Sequence, residues 1–520
     1  MRRDILQSGD RYTPISIVGL NDFHGQLVPA TATFDNGLAR SVGGAGELAT
    51  MFDEEAKALP GRTLLLAAGD NVGASPPISA LLQDTPAIDV ENAWGLDATS
   101  FGNHEFDYGV ARILTHEARA DFPFLSANIV DAKTNEAPAW IKPSYVFRVN
   151  GVKVGVIGAT TKETPELVAA GNTAGLLFLD EAERIKRESD DLRRQGVQVQ
   201  VVVIHEGASV GANPIGNTPG AAWDGRIKGI VEGLAGSTVD LVIAGHTHRI
   251  ANTVIGGIPV VEGVNAGGSY TVAQLLVKGD DVAWTGAATR VAKNQGVASR
   301  PDVQAIVDRA DAATAPLRNR VIGTQKVDLV RDPTRLNESN MGNLVADAMR
   351  LKYAEAEAAI TNSGGLRADI LLTPPGATES DVTYGEMSAV LPFGNQTVLL
   401  TLTGADLVKA FTNGFSPACN PQVATGRFPQ VSGLKISFHC SGTTAVVDSI
   451  LKGTTPVGPA DMVRVVTNDF MYTGGDGYTA FASGTNVQFK GDLLLDVAID
   501  YVAKNSPVAP VVEGRIVKTP

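Results

Sequence analysis

A chain of 520 residues exceeds what a single hydrophobic core organises, so two or three domains are expected. Its 44% apolar and 19% charged content is that of a folded chain, and no window nears the roughly 18 uninterrupted apolar residues of a membrane helix. A formal charge of −13 argues against a nucleic-acid polymer as partner, so an anionic ligand must be met by local cationic groups.

The opening MRRDILQSGDRYTPIS is charged and lacks an apolar h-region, so no secretion signal is visible in it. From Ile15 to about Val291, short apolar runs alternate with helical stretches. ISIVGL, TLLLAAG, ATSFG, VKVGVIG, VQVVVIH and VDLVIAG read as strands buried on both faces, because they lack polar alternation. GELATMFDEEAKAL and EAERIKRESDDLRRQG read as helices between them. VGGAGELAT lacks the Lys-Ser/Thr ending of a phosphate loop and is read as a turn that starts a helix. Residues 300–319 read as a linking helix, and a second α/β domain starts at Val321. Its predicted helices include SNMGNLVADAMRLKYAEAEA and GADLVKAFTNGF. The domain plan is therefore 1–295, a linker over 296–320, and 321–520. The two cysteines, Cys419 and Cys440, fit either buried thiols or a disulfide of an exported protein.

Chemistry concentrates where the predicted strands end, which is where open α/β sheets place their sites. Of seven histidines, five lie there: His24, His104, His205, His246 and His248. NDFH adds Asp22 two residues before His24, AAGDN adds Asp70, and GNHEFD adds Asn103 and Asp107. Imidazole, carboxylate and amide donors without thiolate suit Zn²⁺ or Mn²⁺, with Fe or Co²⁺ also compatible, rather than an iron–sulfur cluster. The donors suffice for two divalent ions sharing a carboxylate. Asp107 can orient the His104 ring or simply cap the next turn, and Glu105 is read as structural.

NDFHGQL, GDN, GNHEFDYG, HEG and GHTH occur in the order found in calcineurin-like metallophosphoesterases. Over nearly the whole chain, the sequence resembles the bifunctional 5′-nucleotidases of UDP-sugar hydrolase type. The resemblance implies a four-layer metallophosphoesterase sandwich followed by an α/β nucleotidase domain. It places one metal on Asp22, His24 and His248 and the other on Asn103, His205 and His246, with Asp70 bridging. It makes His104 the residue that meets the phosphoryl group or protonates the leaving oxygen, with Asp107 fixing its tautomer.

RLNESNMGN, ITNSGGLR, LPFGNQ and NDFMYTGGDGY carry the resemblance through the second domain. It implies that Phe393 and Phe470 clamp a nucleobase, that Arg335, Asn362 and Arg367 approach the substrate, and that Asp476 binds ribose hydroxyls. Ser363 stands where the family has a glycine. The implied substrate is an AMP-like nucleotide, the protein a monomer or homodimer, and the location periplasmic or secreted. Its enzyme rivals are a 2′,3′-cyclic-nucleotide 2′-phosphodiesterase/3′-nucleotidase and a UDP-sugar hydrolase. A nucleoside- or metal-binding surface protein without turnover is the non-enzyme alternative.

Overall fold

The computed structural model describes residues 12–33, 39–169, 171–208, 225–279, 281–421 and 423–520, so the first eleven residues of the charged opening segment lie outside it. The chain divides into two compact units, one of residues 1–165 and 171–313, the other of 166–170 and 314–520.

In the first unit the principal strands are β1 (Thr13–Leu20), β2 (Thr63–Ala67), β3 (Ala98–Ser100), β4 (Phe124–Leu125), β5 (Ser144–Val149), β6 (Val152–Thr160), β7 (Val199–His205), β8 (Leu241–Ala244), β9 (Ala251–Ile255), β10 (Ile258–Glu262), β11 (Ser269–Lys278) and β12 (Asp281–Val291). They form two six-stranded sheets, ordered β12-β11-β1-β2-β3-β4 and β9-β10-β8-β7-β6-β5. Strands β1 to β4 are parallel, as are β6, β7, β8 and β10.

The physical reason for two facing sheets is legible in β7, which is buried at every position. Val199, Val201 and Val203 pack with Ile15, Ile17, Leu64 and Leu66 of the opposite sheet. The alternate residues Val202 and Ile204 pack instead on Ile185 and Leu192 of helix α1, Glu181–Arg194. Each such aliphatic side chain contributes about 1.5–3 kcal/mol when fully buried. On the far side of the first sheet, the helix Ala45–Ala58 brings Phe52 edge-on to Trp94 and Tyr270. Helix, sheet, sheet and helix thus make the four layers expected. Every apolar run read as a strand is one. The Gly43–Gly44 pair, both at positive φ, leads into the predicted helix start.

The helix read over 300–319 is α2 (Pro301–Arg318). In the second unit, the helix expected over 339–358 is shorter than read. Helix α3 covers Asn340–Lys352 and stops where Tyr353 turns extended. The Tyr353 hydroxyl is drawn to Thr397 and Asp492, and Ala358–Asn362 is a wholly buried strand, β13. Strands β14 (Gln396–Thr403), β15 (Pro429–Ser432), β16 (Lys435–Ser441), β17 (Thr444–Lys452), β18 (Met462–Asn468), β19 (Thr485–Leu493) and β20 (Ile516–Lys518) follow. The main sheet has five strands ordered β15-β13-β18-β14-β19. Leu399 and Val466 face α3 and the helix Leu494–Asn505, while Leu400 and Val465 face Phe411 and Phe415 of the helix Gly404–Phe415. Cys419 and Cys440 form a disulfide with Cα atoms 5.4 Å apart and are not two separate buried thiols.

Candidate active site

Asp22 and His24 follow β1, Asp70 follows β2, Asn103 follows β3, His205 ends β7, and His246 and His248 follow β8. All these are carboxyl ends of parallel strands, and the two facing sheets deliver them to one place. Asp22, His24 and His248 form one cluster and Asp70, His205 and His246 a second, the donor atoms of each lying within 4.8 Å of one another. Asp70 links the clusters, its Oδ2 lying 3.0 Å from His205 Nε2 and 3.7 Å from His24 Nε2. Asn103 Oδ1 lies 3.2 Å from His205 Nε2, and His248 Nε2 lies 3.2 Å from Asp22 Oδ1.

Hydrogen bonding shows what such an arrangement suits. His24 Nδ1 and His205 Nδ1 each lie 2.8 Å from a carbonyl oxygen, of Gly73 and Ala68 respectively. A carbonyl only accepts, so each Nδ1 carries the hydrogen and each Nε2 of a neutral ring is a lone pair. His24 Nε2 faces His248 Nε2 at 3.4 Å, and His205 Nε2 faces His246 Nδ1 at 3.3 Å. Lone pairs and carboxylate oxygens at these spacings call for positive charge between them.

The titration behaviour agrees. Burial pushes His24 and His246 down to about 3, so both rings are neutral. Burial alone would raise Asp22 and Asp70, but His248 beside Asp22 and His205 beside Asp70 hold both carboxyls below their usual range. Burial also pulls His205 down, yet the Asp70 charge and hydrogen bond lift it to about 10. A proton on His205 thus partly supplies the charge a cation would bring, and cation binding displaces such protons. The residues fit a pair of divalent ions.

The supporting contacts were less visible in the sequence. Asp22, His24, Asp70, His246 and His248 all have left-handed backbones, with φ from 49° to 76°. The Glu105 carboxylate accepts from the backbone N–H groups of Asp70 (3.1 Å), Asn71 (2.9 Å) and Gly102 (2.5 Å), tying two ligand loops together. Gly102 permits this approach, since a Cβ there would fall 2.1 Å from Asp70 Oδ1. Asn21 Nδ2 donates to Asp22 Oδ2 at 2.7 Å and to Gly263 O at 2.8 Å. Glu262, at the end of β10, accepts from Thr247 Oγ1 at 2.6 Å and holds the turn between His246 and His248. Sequence reasoning singled out neither Asn21 nor Glu262. Asn21 stands beside Asp22 in NDFH and was legible in principle; Glu262 carries no local signal.

His104 lies beside the cluster, its ring centroid 5.2 Å from that of His24. Its Nδ1 is 3.0 and 2.9 Å from the two Asp107 oxygens, and its backbone N–H donates to Asp70 Oδ1 at 2.8 Å. Asp107 Oδ2 also accepts from Ala74 N at 3.2 Å, so it orients the ring and supports a loop together.

Within the second unit, Asn362 Nδ2 donates to Asp476 Oδ2 at 2.7 Å, and the Arg367 guanidinium lies 5.6 Å over the Phe393 ring. The Phe470 ring rests on Gly475, where a Cβ would fall 2.4 Å from it. Asn395 Nδ2 donates to Asp469 Oδ1 at 3.0 Å, joining the loops that carry Phe393 and Phe470. Burial, with the nearby charges of Arg367 and Arg331, pushes Arg335 down to about 9, a setting that an anion would relieve. Asn413 and Arg427, not anticipated from the sequence, brace the turn: Asn413 Nδ2 donates to Asp476 O at 2.9 Å, and Arg427 Nη1 to Asn413 Oδ1 at 3.1 Å.

Comparison with known proteins agrees with this division. Residues 15–249 match the calcineurin-like phosphoesterase family, and 321–483 match the 5′-nucleotidase C-terminal domain. The chain is 33% identical to the cell wall protein Lmo0130 of Listeria monocytogenes, across 96% of this chain and 69% of that protein. It is 28% identical to the 5′-nucleotidase of Bos taurus, across 96% and 90% respectively. The crystal structure of a 5′-nucleotidase precursor from Thermus thermophilus superposes with a TM-score of 0.81 at 26% identity, covering 97% of this chain and 99% of that one. Two matched domains, in this order and around these residues, leave one conclusion: the chain belongs to the 5′-nucleotidase family of calcineurin-like metallophosphoesterases, and it is a phosphoric ester hydrolase.

Proposed function

We propose that this protein is a two-metal 5′-nucleotidase that hydrolyses nucleoside 5′-monophosphates to nucleoside and phosphate. The observation that carries the reading is a cation-demanding Asp/His cluster in one unit of a chain whose other unit pairs guanidinium, aromatic and carboxylate groups. Asp22, His24 and His248 would hold one ion, Asn103, His205 and His246 the other, with Asp70 shared between them. The oxygen and nitrogen donors favour Zn²⁺ or Mn²⁺. When bound, such a pair neutralises phosphoryl oxygens and lowers the pKa of water toward about 7.

The chain's own groups do the rest. His104, with Asp107 holding its Nδ1–H, gives its Nε2 proton to the departing ester oxygen. Phe393 and Phe470 stack the base, a contact every nucleobase offers. Asp476, oriented by the Asn362 amide, accepts from ribose hydroxyls. Arg335 and Arg367 bring the cationic charge that an acidic protein otherwise lacks. The Cys419–Cys440 disulfide supports an oxidising location outside the cytoplasm.

The test is a panel of AMP, 3′-AMP and 2′,3′-cyclic AMP with metal analysis. Phosphate release from AMP, abolished by chelator and restored by Mn²⁺ or Zn²⁺, is expected. Turnover confined to 3′-AMP and the cyclic ester would transfer the assignment to the phosphodiesterase/3′-nucleotidase, and activity indifferent to chelator would overturn the centre.

A further inference from the structure

The loop that carries Arg335 is fastened at both ends. Asp332 holds the near end, its carbonyl accepting from Arg335 N at 3.0 Å and its Oδ2 from Leu336 N at 2.8 Å. At the far end stands Glu338, a carboxylate only 8% exposed. Its Oε1 accepts from Asn343 Nδ2 at 2.6 Å and from Glu513 N at 2.7 Å, and its Oε2 from Arg515 N at 2.6 Å. Asn343 Nδ2 also donates to Val511 O at 2.8 Å. Most of the groups that donate to this buried carboxylate, three residues from Arg335, therefore belong to a segment lying about 175 residues further along the chain.

Ahead of Ile516, which packs against the core beside β16, that segment is not held by apolar burial. Val511 and Val512 are 58% and 59% exposed, and the stretch before β20 forms neither helix nor strand. Its anchors are polar: the Arg515 guanidinium grips both Asp347 oxygens at 2.8 and 2.9 Å and donates to Val431 O at 2.9 Å. A cross-brace reaches the other substrate turn. Gln430 donates to Asn337 O at 3.0 Å and to Ser363 Oγ, beside Asn362, at 3.2 Å, while accepting from Ser339 N at 2.9 Å.

We infer that Glu338 and residues 511–516 form a clasp that positions Arg335 for the nucleotide, an inference that rests on the nucleotidase reading. Arg335 has a left-handed backbone, φ 55°, so its loop holds a conformation that an untethered chain would leave. Charge-assisted bonds from a buried carboxylate to backbone N–H groups are strong enough to keep it there. Glu338 acts through Arg335 and touches no substrate; it is a positioning residue.

The test is a double-mutant cycle in the full-length, metal-loaded protein with AMP. Glu338→Gln turns one acceptor oxygen into a donor facing donors, so KM for AMP should rise about tenfold with kcat nearly unchanged, the signature of binding lost equally from ground and transition states. In an Arg335→Ala background the same change should shift KM by less than about twofold, since positioning acts only through that side chain. An Arg335→Ala variant with wild-type KM would refute the substrate-pocket reading itself. A normal KM in Glu338→Gln, with Arg335→Ala impaired, would overturn the clasp alone, as would effects that multiply in the double variant. If Glu338→Gln does not fold, Asn343→Ala is read the same way: it removes the amide shared by Glu338 and Val511, and a KM rise that persists undiminished without Arg335 would sink the proposal.

Discussion

Replacing Asp107 by Asn isolates the role of the His104 proton. The His104 and Asp107 side chains are 13% and 6% exposed, so solvent screens their contact little. Both carboxylate oxygens lie within 3.0 Å of His104 Nδ1, and Asn keeps the size while deleting the charge. A charge-assisted hydrogen bond contributes about 1.5–3 kcal/mol and a neutral one about 0.5–1.5, so the change costs about 1–1.5 kcal/mol. At 1.36 kcal/mol per tenfold, kcat for AMP should fall roughly 5- to 12-fold. The nucleoside alkoxide needs a proton to leave, whereas p-nitrophenolate does not. Parallel assays of AMP and p-nitrophenyl phosphate at equal metal loading should therefore show the loss for AMP and little change for the aryl ester. Equal losses on both esters would refute proton donation and leave Asp107 as a support for the Ala74 loop.

The other predictions address the cluster, the base clamp and the fold. Asp70→Asn should lower turnover by more than about 100-fold and reduce bound metal below two ions per chain by elemental analysis, with circular dichroism unchanged; retained activity would refute the bridging role. Phe470→Ala removes a stacking surface worth about 1–3 kcal/mol, so KM for AMP should rise roughly 5- to 150-fold while p-nitrophenyl phosphate is little affected. Asp240 tests the fold away from the site, because burial pushes its carboxyl up to about 7. A raised acid binds more protons folded than unfolded, so wild-type stability declines as pH rises from the ordinary carboxylate range through 7. Asp240→Asn keeps an acceptor for Gln200 N, and its Tm should exceed the wild type's by a margin that grows over that window; a constant margin would disprove the linkage.

What the sequence disclosed, and what it hid, follow from the range of the interactions. Asp22 with His24, and His246 with His248, are two residues apart at the ends of apolar runs, so local reading finds them. The six buried runs are equally local, since β7 needs no neighbour to declare itself buried on both faces. Gly263 is 242 residues from Asn21 and Glu513 is 175 from Glu338, and no local pattern announces such pairs. The overlong helix has the same cause. AEAEA has strong helix propensity, yet Ala359 and Ile360 are fully buried in β13, and tertiary packing overrode the local preference.

The left-handed backbones join these two levels. A left-handed residue costs about 1–2 kcal/mol for an ordinary side chain, and Asp and His are among the non-glycine types that tolerate it best. Five of the seven proposed ligands are such residues in such a conformation. In each case the chain must turn sharply off a strand end and still aim a donor atom back at the strand-end cluster. Glycine would ease the turn but offers no donor, and a β-branched residue would meet neither need. Glu105, Asn21 and Glu262 supply the hydrogen bonds that hold the strained turns in place. The same logic recurs at Arg335 and Asp476, with φ of 55° and 54°, where Asp332, Glu338 and Asn413 brace the loops. Strain at both places falls on residues assigned to chemistry or recognition, and polar contacts, several of them from distant sequence, brace the strained turns. That is the pattern expected when a backbone is held for its side chain's sake rather than for its own stability.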